Sequence, residues 1–324
     1  MKFTRRTGIA ALAAAPLLLA LPACNRGGGE GGGGGGYDIA LISKGFQHQF
    51  WQAVNKGAEE AATENGATIT FEGPASETEV DAQLQMFTAA IDRGPDAICY
   101  AALDPEACVP LYESAKTKEI PIVEFDAGCD SDYAQNLAAT DQKVAGALAA
   151  EHMAEGIGGK GSVGIVCHSQ INSTGVQRRD GFVEYLEKNN PDIEIADIQY
   201  GDGDHLKSAN IAKAMIGAND LAGMYGTNEG SAIGIVNGVQ ELGLTGEDLV
   251  VVGFDSGAAQ LEAIREGVMY GAVTQDPKSI GRKTVEAAIA VINGEEVEEF
   301  TDTGSYWYDA ENIDDADIQE MVYE

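Results

Sequence analysis

The stretch Val250-Val251-Val252-Gly253-Phe254-Asp255 is an apolar run that ends at a carboxylate. An amphipathic stretch, Ala258 to Glu266, follows it, and the next apolar run is Gly271 to Thr274. Short apolar runs that alternate with helical patterns are typical of βα units, whose strands lie parallel in one sheet. This stretch therefore predicts a buried parallel strand with an acid at its carboxyl end.

The same alternation extends over most of the chain. The predicted strands are Asp38 to Ser43, Thr68 to Glu72, Ala97 to Tyr100, Ile122 to Asp126, Ser162 to His168, Ile193 to Tyr200, Gly223 to Gly226, Val250 to Asp255 and Gly271 to Thr274. The predicted helices are Phe50 to Asn65, Val80 to Arg93, Cys108 to Lys118, Asp141 to Glu155, Gly175 to Asn189, Leu206 to Ala218, Glu229 to Leu242, Ala258 to Glu266 and Pro277 to Asn293. The pattern predicts an α/β protein with two doubly wound parallel sheets, and open sheets of this kind bind ligands at the carboxyl ends of their strands.

The last thirty residues are rich in acids and contain no Lys or Arg. This composition favours a solvated face after the last predicted helix. The segment Tyr306-Trp307-Tyr308 leaves a strand there as the alternative.

The first 24 residues have the pattern of an export signal. Lys2, Arg5 and Arg6 precede an apolar run, Ile9 to Leu21, which is too short to span a bilayer comfortably, and Leu21-Pro22-Ala23-Cys24 resembles the lipobox of bacterial lipoproteins. We expect residues 1–23 to be a signal peptide and Cys24 to carry the lipid, with export by the general or the twin-arginine route left open. The alternative is an anchor helix with an incidental Cys.

A glycine-rich tract follows the expected lipid anchor, with glycines at 27–29 and 31–36. Such a tract behaves as a flexible coil, so residues 24–36 are predicted to tether an extracytoplasmic body to the cell membrane.

Charge and composition limit the possible partners. The 324-residue chain has 52 Asp and Glu against 20 Lys and Arg, and 44% of its residues are hydrophobic. Such acidity repels nucleic-acid phosphates, so no nucleic-acid partner is expected. The four histidines lack metal-ligand spacing, and Gly156 to Gly161 follows a helix rather than a strand, unlike a dinucleotide-binding loop. We expect no metal, no cofactor and no enzymatic activity.

Several segments resemble the type 1 periplasmic sugar-binding proteins, the ribose-binding group. In the C-terminal half they are Val251 to Asp255, Ala263-Ile264-Arg265-Glu266-Gly267, Ala272-Val273-Thr274-Gln275 and Ile280-Gly281. In the N-terminal half they are Ile39-Ala40-Leu41-Ile42, Phe50-Trp51, Gly57 and Pro121 to Asp126. The resemblance covers residues 38 to about 299.

The resemblance implies two lobes joined by three hinge crossings that close on one sugar. One lobe would be residues 37–140 plus 276–302, and the other 141–275 plus 303–324. It also implies a monomer that captures a monosaccharide, polyol or similar neutral solute and delivers it to an ABC importer. The alternative is a sensor that presents its closed form to a membrane receptor or kinase.

The resemblance also implies a set of ligand-binding residues. Carboxylates, amides and an arginine would bind hydroxyls, and aromatic rings would lie on both faces of the sugar. The candidates are His48, Phe50, Trp51, Asp126, Arg178, Asn228, Asp255 and Gln275. Taken alone, Asp255 also fits a helix cap, Phe50 and Trp51 fit core positions, and His48 fits an exposed loop.

The chain departs from the ribose binders at two positions. Ala127 stands where they have an Arg after the first-lobe acid. Their second ligand-binding Arg either is replaced by Val176 or has its counterpart two residues later, at Arg178. With Glu124, Asp126 and Asp255 near the cleft and few cations, we expect a neutral or cationic ligand rather than an anion.

The cysteines after Cys24 are Cys99, Cys108, Cys129 and Cys167. An exported protein permits disulfides, and the neighbouring strand-end loops favour pairing Cys129 with either Cys99 or Cys108. Buried free thiols are the alternative for Cys99 and Cys167.

Overall fold

The computed structural model describes residues 36–323 as two sheets with helices on both faces of each. Its strands are β1 (Asp38–Ile42), β2 (Thr68–Glu72), β3 (Ala97–Tyr100), β4 (Ile122–Phe125), β5 (Leu137–Ala139), β6 (Gly161–Cys167), β7 (Ile193–Tyr200), β8 (Gly223–Gly226), β9 (Val250–Phe254), β10 (Gly271–Gln275), β11 (Phe300–Asp302) and β12 (Ser305–Asp309). Its helices are α1 (Gln49–Asn65), α2 (Val80–Arg93), α3 (Val109–Thr117), α4 (Gln142–Gly156), α5 (Ser173–Asn189), α6 (His205–Ala218), α7 (Glu229–Glu241), α8 (Ala258–Arg265), α9 (Pro277–Ile292) and α10 (Ala316–Met321).

The two sheets have the same strand order. The first runs β11-β5-β4-β3-β1-β2, and all its strands are parallel. The second runs β12-β10-β9-β8-β6-β7, and β12 pairs antiparallel with β10 at its edge. We call the first sheet with α1, α2, α3 and α9 the first lobe, and the second sheet with α4 to α8 the second lobe.

Helices α1 and α9 pack closely on one face of the first sheet. A Cβ at Gly57 would lie 2.0 Å from the carbonyl oxygen of Lys278, and a Cβ at Gly281 would lie 2.0 Å from that of Val54. Because neither glycine has a side chain, the backbones of the two helices touch. Helix α9 is thereby fixed to the first lobe although it follows the second sheet in the chain.

The predicted fold class and the predicted strands and helices are confirmed, with ends that differ by one or two residues. In the tail, the alternative strand is confirmed at Tyr306 to Tyr308, which lie in β12 of the second sheet, whereas the predicted solvated face is wrong there. β11, which joins the first sheet, and α10 were not predicted. β5 was not predicted either, since its three residues are too few to form a periodic pattern. β11 and β12 gain their hydrogen bonds from strands distant in sequence, which local patterning does not report.

Cys108 and Cys129 form a disulfide that ties the start of α3 to the loop after β4. Cys99 and Cys167 lie inside β3 and β6 as fully buried thiols. Of the two pairings that the sequence left open for Cys129, the structure adopts the one with Cys108.

The predicted signal peptide, Cys24 and most of the glycine tract lie outside the described residues. Across residues 36–323, no helix has both the length and the apolar character that a membrane crossing requires.

Candidate functional site

The carboxyl ends of the two sheets meet around a small cavity of about 20 Å³. In this arrangement the cavity has room for about one water molecule. The cavity brings together all eight predicted ligand-binding residues, namely His48, Phe50, Trp51, Asp126, Arg178, Asn228, Asp255 and Gln275. It also includes Lys44, Glu77 and His168, which the sequence analysis did not select.

Asp126 follows β4 and is almost fully buried. The Nζ of Lys44 lies 2.9 Å from its Oδ2, so the two buried groups form an ion pair. Burial raises the pKa of Asp126, and the positive charges of Lys44 and Arg178 oppose that shift. Asp126 thus contributes to the cavity a carboxylate that Lys44 holds in place.

Asp255 follows β9 in the second lobe, at the place equivalent to Asp126 in the first. Its Oδ1 accepts a hydrogen bond from Gln275 Nε2 at 2.7 Å, and its Oδ2 accepts one from the backbone N–H of Glu229 at 3.0 Å. Gln275 is the last residue of β10, immediately before the chain returns to the first lobe. The carboxylate is therefore held by the strand end beside it and by the start of α7.

Arg178 lies on α5 and is buried with its hydrogen-bonding capacity partly used. Its Nε donates to Gln142 Oε1 at 2.7 Å, and its Nη1 donates to the carbonyl oxygen of Thr227 at 2.9 Å. The guanidinium carbon stacks 3.7 Å from the centroid of the Phe254 ring, and Nη1 lies 3.8 Å from Asp255 Oδ2. Arg178 is thus a fixed positive group at the second-lobe wall.

Phe50 and Trp51 begin α1 and form an aromatic wall of the cavity. Their ring planes cross at 82° with centroids 4.9 Å apart, and both side chains are buried. The two neighbouring rings are perpendicular, so they do not face each other across the cavity, and the implied stacking of rings on both faces of a sugar stays a prediction. The indole N–H of Trp51 donates to Glu77 Oε1 at 2.9 Å, which fixes the orientation of its ring.

His48 is buried rather than in an exposed loop, and its protonation follows from its neighbours. Its Nε2 lies 2.8 Å from Gln47 Nε2 and 3.4 Å from Asn228 Nδ2, both amide nitrogens that donate. Nε2 therefore accepts, and the ring proton resides on Nδ1, which has no partner among the described residues. Burial lowers the pKa of His48, so the ring stays neutral.

A series of hydrogen-bonded side chains connects the two lobes behind the cavity. Lys44 Nζ of the first lobe donates to Thr174 Oγ1 of the second at 3.1 Å, and Thr174 Oγ1 donates to Asn172 Oδ1. His168 Nε2 lies 3.0 Å from Thr174 Oγ1 and its Nδ1 lies 2.8 Å from Thr227 Oγ1. Burial, together with Arg178 and Lys44, holds the pKa of His168 well below its usual range. A neutral His168 satisfies both hydroxyls.

Glu77 lies in the loop after β2 and faces Lys44, His48 and Trp51. Burial opposes its ionisation, but Lys44, His48 and the Trp51 N–H outweigh burial and lower its pKa. The cavity therefore holds three carboxylates, Glu77, Asp126 and Asp255, against two cations, Lys44 and Arg178. The cleft was expected to contain few cations. It contains one more than the candidate residues supply, because Lys44 pairs with Asp126, whose neighbour Ala127 carries no charge.

Glu124 does not line the cavity, contrary to expectation. Glu124 lies within β4, whereas the cavity lies beyond the carboxyl ends of the strands. Alternate residues of a strand face opposite sides of the sheet, so Glu124 points to the side opposite to Phe125. Its Oε1 accepts from Tyr112 Oη at 2.8 Å and from the N–H of Cys129 at 2.7 Å, on the α2 and α3 side.

The three cavity residues that were not predicted also lie after the carboxyl ends of strands. Lys44 comes two residues after β1, Glu77 lies in the loop after β2, and His168 directly follows β6. Open parallel sheets bind ligands at the carboxyl ends of their strands. The polar residues that follow every strand, and not only the strands with family motifs, are therefore candidates, and these three are among them.

The site contains groups suited to binding hydroxyls. Within the described part of the chain, no cluster of His, Cys, Asp and Glu has the arrangement of a metal site. What the cavity does contain is the carboxylates of Asp126 and Asp255, a buried donor without a partner at His48 and an aromatic wall. Because an unsatisfied buried polar group costs free energy, a bound molecule with hydroxyls and apolar C–H faces would relieve that cost.

Comparisons with known proteins agree with this arrangement. Residues 39–296 match the family described as periplasmic binding protein domain. A D-allose-binding periplasmic protein of Escherichia coli K12 is 27% identical over 253 residues, which are 75% of this chain and 81% of that protein. The structure of an ABC transporter solute-binding protein from Agrobacterium vitis with bound D-fucose is 34% identical, with a TM-score of 0.85 over 88% of this chain and all of the other. A second one from Agrobacterium vitis, bound with α-D-tagatopyranose, is 31% identical, with a TM-score of 0.86 over 89% of this chain and 99% of the other.

Proposed function

The chain belongs to the periplasmic binding protein domain family, within its type 1 sugar-binding proteins, and we propose that it captures a monosaccharide or polyol by lobe closure and delivers it to an ABC importer. The observation that carries the proposal is the meeting of one carboxylate from each lobe, Asp126 and Asp255, in a small cavity beside an aromatic wall and the unpartnered Nδ1 of His48. Relatives with bound D-fucose and D-tagatose support the ligand class.

Closure follows from linkage between binding and lobe position. Asp126, His48 and Phe50 belong to the first lobe, and Asp255 and Arg178 to the second. A solute that contacts both sets binds the closed form better and shifts the population towards it. We propose that residues 37–140 with 276–302 move as one lobe and 141–275 with 303–324 as the other, about the three chain crossings.

The charges favour a neutral solute. Lys44 is paired with Asp126, and two Arg178 donors are used by Gln142 and Thr227. An anionic sugar phosphate would therefore meet three carboxylates with few free donors. A neutral sugar needs no counter-charge, and its hydroxyls both donate and accept.

Thermal unfolding of residues 36–324 with a solute panel tests the proposal. The panel contains D-allose, D-fucose, D-tagatose, D-arabinose, D-ribose and xylitol, with glucose 6-phosphate and an amino acid mixture as controls. A solute at 100 times its dissociation constant stabilises the folded protein by about 2.7 kcal/mol, which raises Tm by a few degrees. A shift with a neutral sugar or polyol alone is expected. A shift only with the phosphate or the amino acids would contradict the ligand class.

We further propose that the protein is a lipoprotein anchored to the outside of the cell membrane through Cys24. Mass spectrometry of the N-terminal peptide from membranes should find a diacylated Cys24. A Cys24→Ser variant should be recovered uncleaved and without lipid. An unmodified cysteine in the mature wild-type protein would refute the anchor.

A further inference from the structure

Helix α1 carries Phe50 and Trp51 at its start, and its own residues do not cap its N-terminus. Its N-cap residue, His48, makes no side-chain cap bond, and its first turn contains no acid. The first N–H groups of any α-helix lack partners within the helix, and caps normally supply them. The aromatic wall therefore stands on a helix end that its own first turn does not cap.

The missing cap comes from the other lobe. Glu229, the first residue of α7, accepts a hydrogen bond from the N–H of Gln49 at 3.2 Å and another from the N–H of Phe50 at 3.3 Å. Its side chain is buried, and the surrounding chain leaves little room, since a Cβ at Gly257 would lie 2.9 Å from its carboxyl carbon. When this carboxyl group is ionised, its negative charge also interacts favourably with the helix dipole.

We infer that Glu229 is a positioning residue for closure, whose carboxylate caps α1 from the opposite lobe and holds the Phe50 and Trp51 wall against the solute. The inference rests on the proposed function, because lobe closure is what brings the cap to the helix. Gln49 adds a second contact between the lobes, since its Oε1 accepts from the N–H of Ala258 at 2.9 Å.

The same residue is linked to the second-lobe carboxylate. The backbone N–H of Glu229 donates to Asp255 Oδ2, while its side chain caps α1. One residue thus fixes the distance between an expected hydroxyl acceptor and the aromatic wall. Glu229 itself does not line the cavity, so its effect on the solute acts through these neighbours.

Closure also changes the acidity of this carboxyl group. Burial, together with the nearby charges of Asp255 and Glu77, raises the pKa of Glu229 from 4.5 to about 7, although the N–H groups of Gln49 and Phe50 lower it. In open, hydrated lobes its pKa returns towards the ordinary value. Closure therefore takes up a proton, so this group weakens solute binding as the pH rises from about 4.5 to about 7.

Other groups around Glu229 act differently. Burial lowers the pKa of His48 in the closed form, so His48 releases a proton on closure and opposes the trend. Burial holds the pKa values of Tyr308 and Tyr323 well above their usual range, so both stay neutral. The contribution of Glu229 is therefore obtained from the difference between the wild type and a Glu229→Gln variant.

The first test measures binding of D-allose and D-fucose to Glu229→Ala and Glu229→Gln by stopped-flow fluorescence. Glu229→Ala should weaken binding about 10-fold or more, the loss expected for hydrogen bonds to a charged group, mainly through faster release. Glu229→Gln keeps an acceptor oxygen and should lose less, but its pH profile should lack the decline between pH 4.5 and 7. Glu241→Gln, at the exposed end of the same helix, is the matched control. Loss no greater than that of the control, or an unchanged pH profile in Glu229→Gln, would overturn the inference.

A second test reads the cap directly, as hydrogen exchange at the amides of Gln49 and Phe50 with and without a saturating sugar. Because closure brings the cap to the helix, exchange in the closed form should be at least several-fold faster in Glu229→Ala than in the wild type, with exchange in the β3 core unchanged. If no sugar binds the wild type but these amides still respond to the substitution, the solute class fails and the cap stands. Equal exchange in the two proteins, both with saturating sugar and without it, would overturn the cap.

Discussion

Asp126 and Asp255 share an unusual backbone conformation at equivalent places in the two sheets. Their φ angles are 60° and 73°, in the left-handed region. Asp and Asn tolerate this region better than other residues with a Cβ, whereas a β-branched residue would be strained there. Each carboxylate thus sits at a sharp turn between a central strand and the cavity, and Asn is the substitution that leaves this backbone intact.

Asp126→Asn should weaken solute binding at least 10-fold and should also lower the stability of the sugar-free protein. The amide retains one acceptor oxygen but loses the charge that strengthens bonds from hydroxyls, and it leaves the buried ammonium of Lys44 without its ion-pair partner. Calorimetry with the sugar that gives the largest thermal shift measures the first effect, and urea unfolding measures the second. Asp81→Asn, in the first turn of α2, is the control. Unchanged affinity would remove Asp126 from the site.

Glu124→Gln should stabilise the protein at pH 8 by up to about 3 kcal/mol. Burial raises the pKa of Glu124 to about 7, so the folded state binds a proton more tightly than the unfolded state. The resulting penalty grows as the pH rises from about 4.5 to about 7 and is constant above that range. Gln keeps the acceptor for Tyr112 Oη and the Cys129 N–H, which share one oxygen.

The measurement for Glu124 is urea unfolding of both proteins from pH 4 to pH 8. The two free energies of unfolding should converge at low pH, separate as the pH rises from about 4.5 to about 7, and differ by a constant amount above that range. A variant that is less stable than the wild type at pH 8 would mean that the ionised carboxylate contributes more through its hydrogen bonds than burial costs.

At the scale of elements, the C-terminal segment joins the two cores. After α10, Val322 packs in the core of the second lobe and Tyr323 in that of the first. The Tyr323 hydroxyl accepts from the N–H of Ser256 at 3.3 Å, and its ring centroid lies 6.2 Å from that of Phe50. The tail therefore lies beside both Asp255 and the aromatic wall.

Tyr323→Ala should lower the free energy of unfolding by about 3 kcal/mol, because it removes a buried aromatic ring, whereas Tyr323→Phe should cost about 1 kcal/mol. Urea unfolding measures both. The exposed Tyr306, on edge strand β12, serves for comparison. Tyr306→Ala should lower the free energy of unfolding by less than either substitution at Tyr323 does. If Tyr323→Ala has no larger effect than Tyr306→Ala, the tail does not pack in solution as it does here.

At the scale of the whole molecule, the net charge of −32 works against compactness. With 52 acids and 20 Lys and Arg, most surface carboxylates have no cation of their own, and their mutual repulsion favours the expanded chain. Salt screens this repulsion, since the Debye length falls from about 10 Å at 0.1 M to about 3 Å at 1 M.

The melting temperature at pH 7 should therefore rise by several degrees between 0.02 M and 1 M NaCl. At pH 4 about half of the carboxylates of ordinary pKa are protonated, so the rise should be clearly smaller. Differential scanning calorimetry at both pH values makes the comparison. Equal salt effects at pH 4 and pH 7 would attribute the stabilisation to general salt effects on apolar burial rather than to charge screening.

The sequence by itself determined the α/β class, the central strands and the long helices. These elements have periodicities that follow from burying one face, and that information is local. It also indicated Asp126 and Asp255, because a polar residue at the carboxyl end of a buried parallel strand lies at the ligand-binding edge. The remaining candidates came from family motifs at neighbouring strand ends.

Only the tertiary structure decided which groups meet. Lys44 pairs with Asp126, Cys108 with Cys129, and Glu229 with the start of α1, each across a separation that no local pattern records. β11 and β12 form because each finds a partner strand at a sheet edge, although the acidic composition favoured solvent and only Tyr306 to Tyr308 suggested a strand. The physical reason is the same in each case: periodicity reports which face of an element is buried, whereas pairing depends on how the chain returns through space.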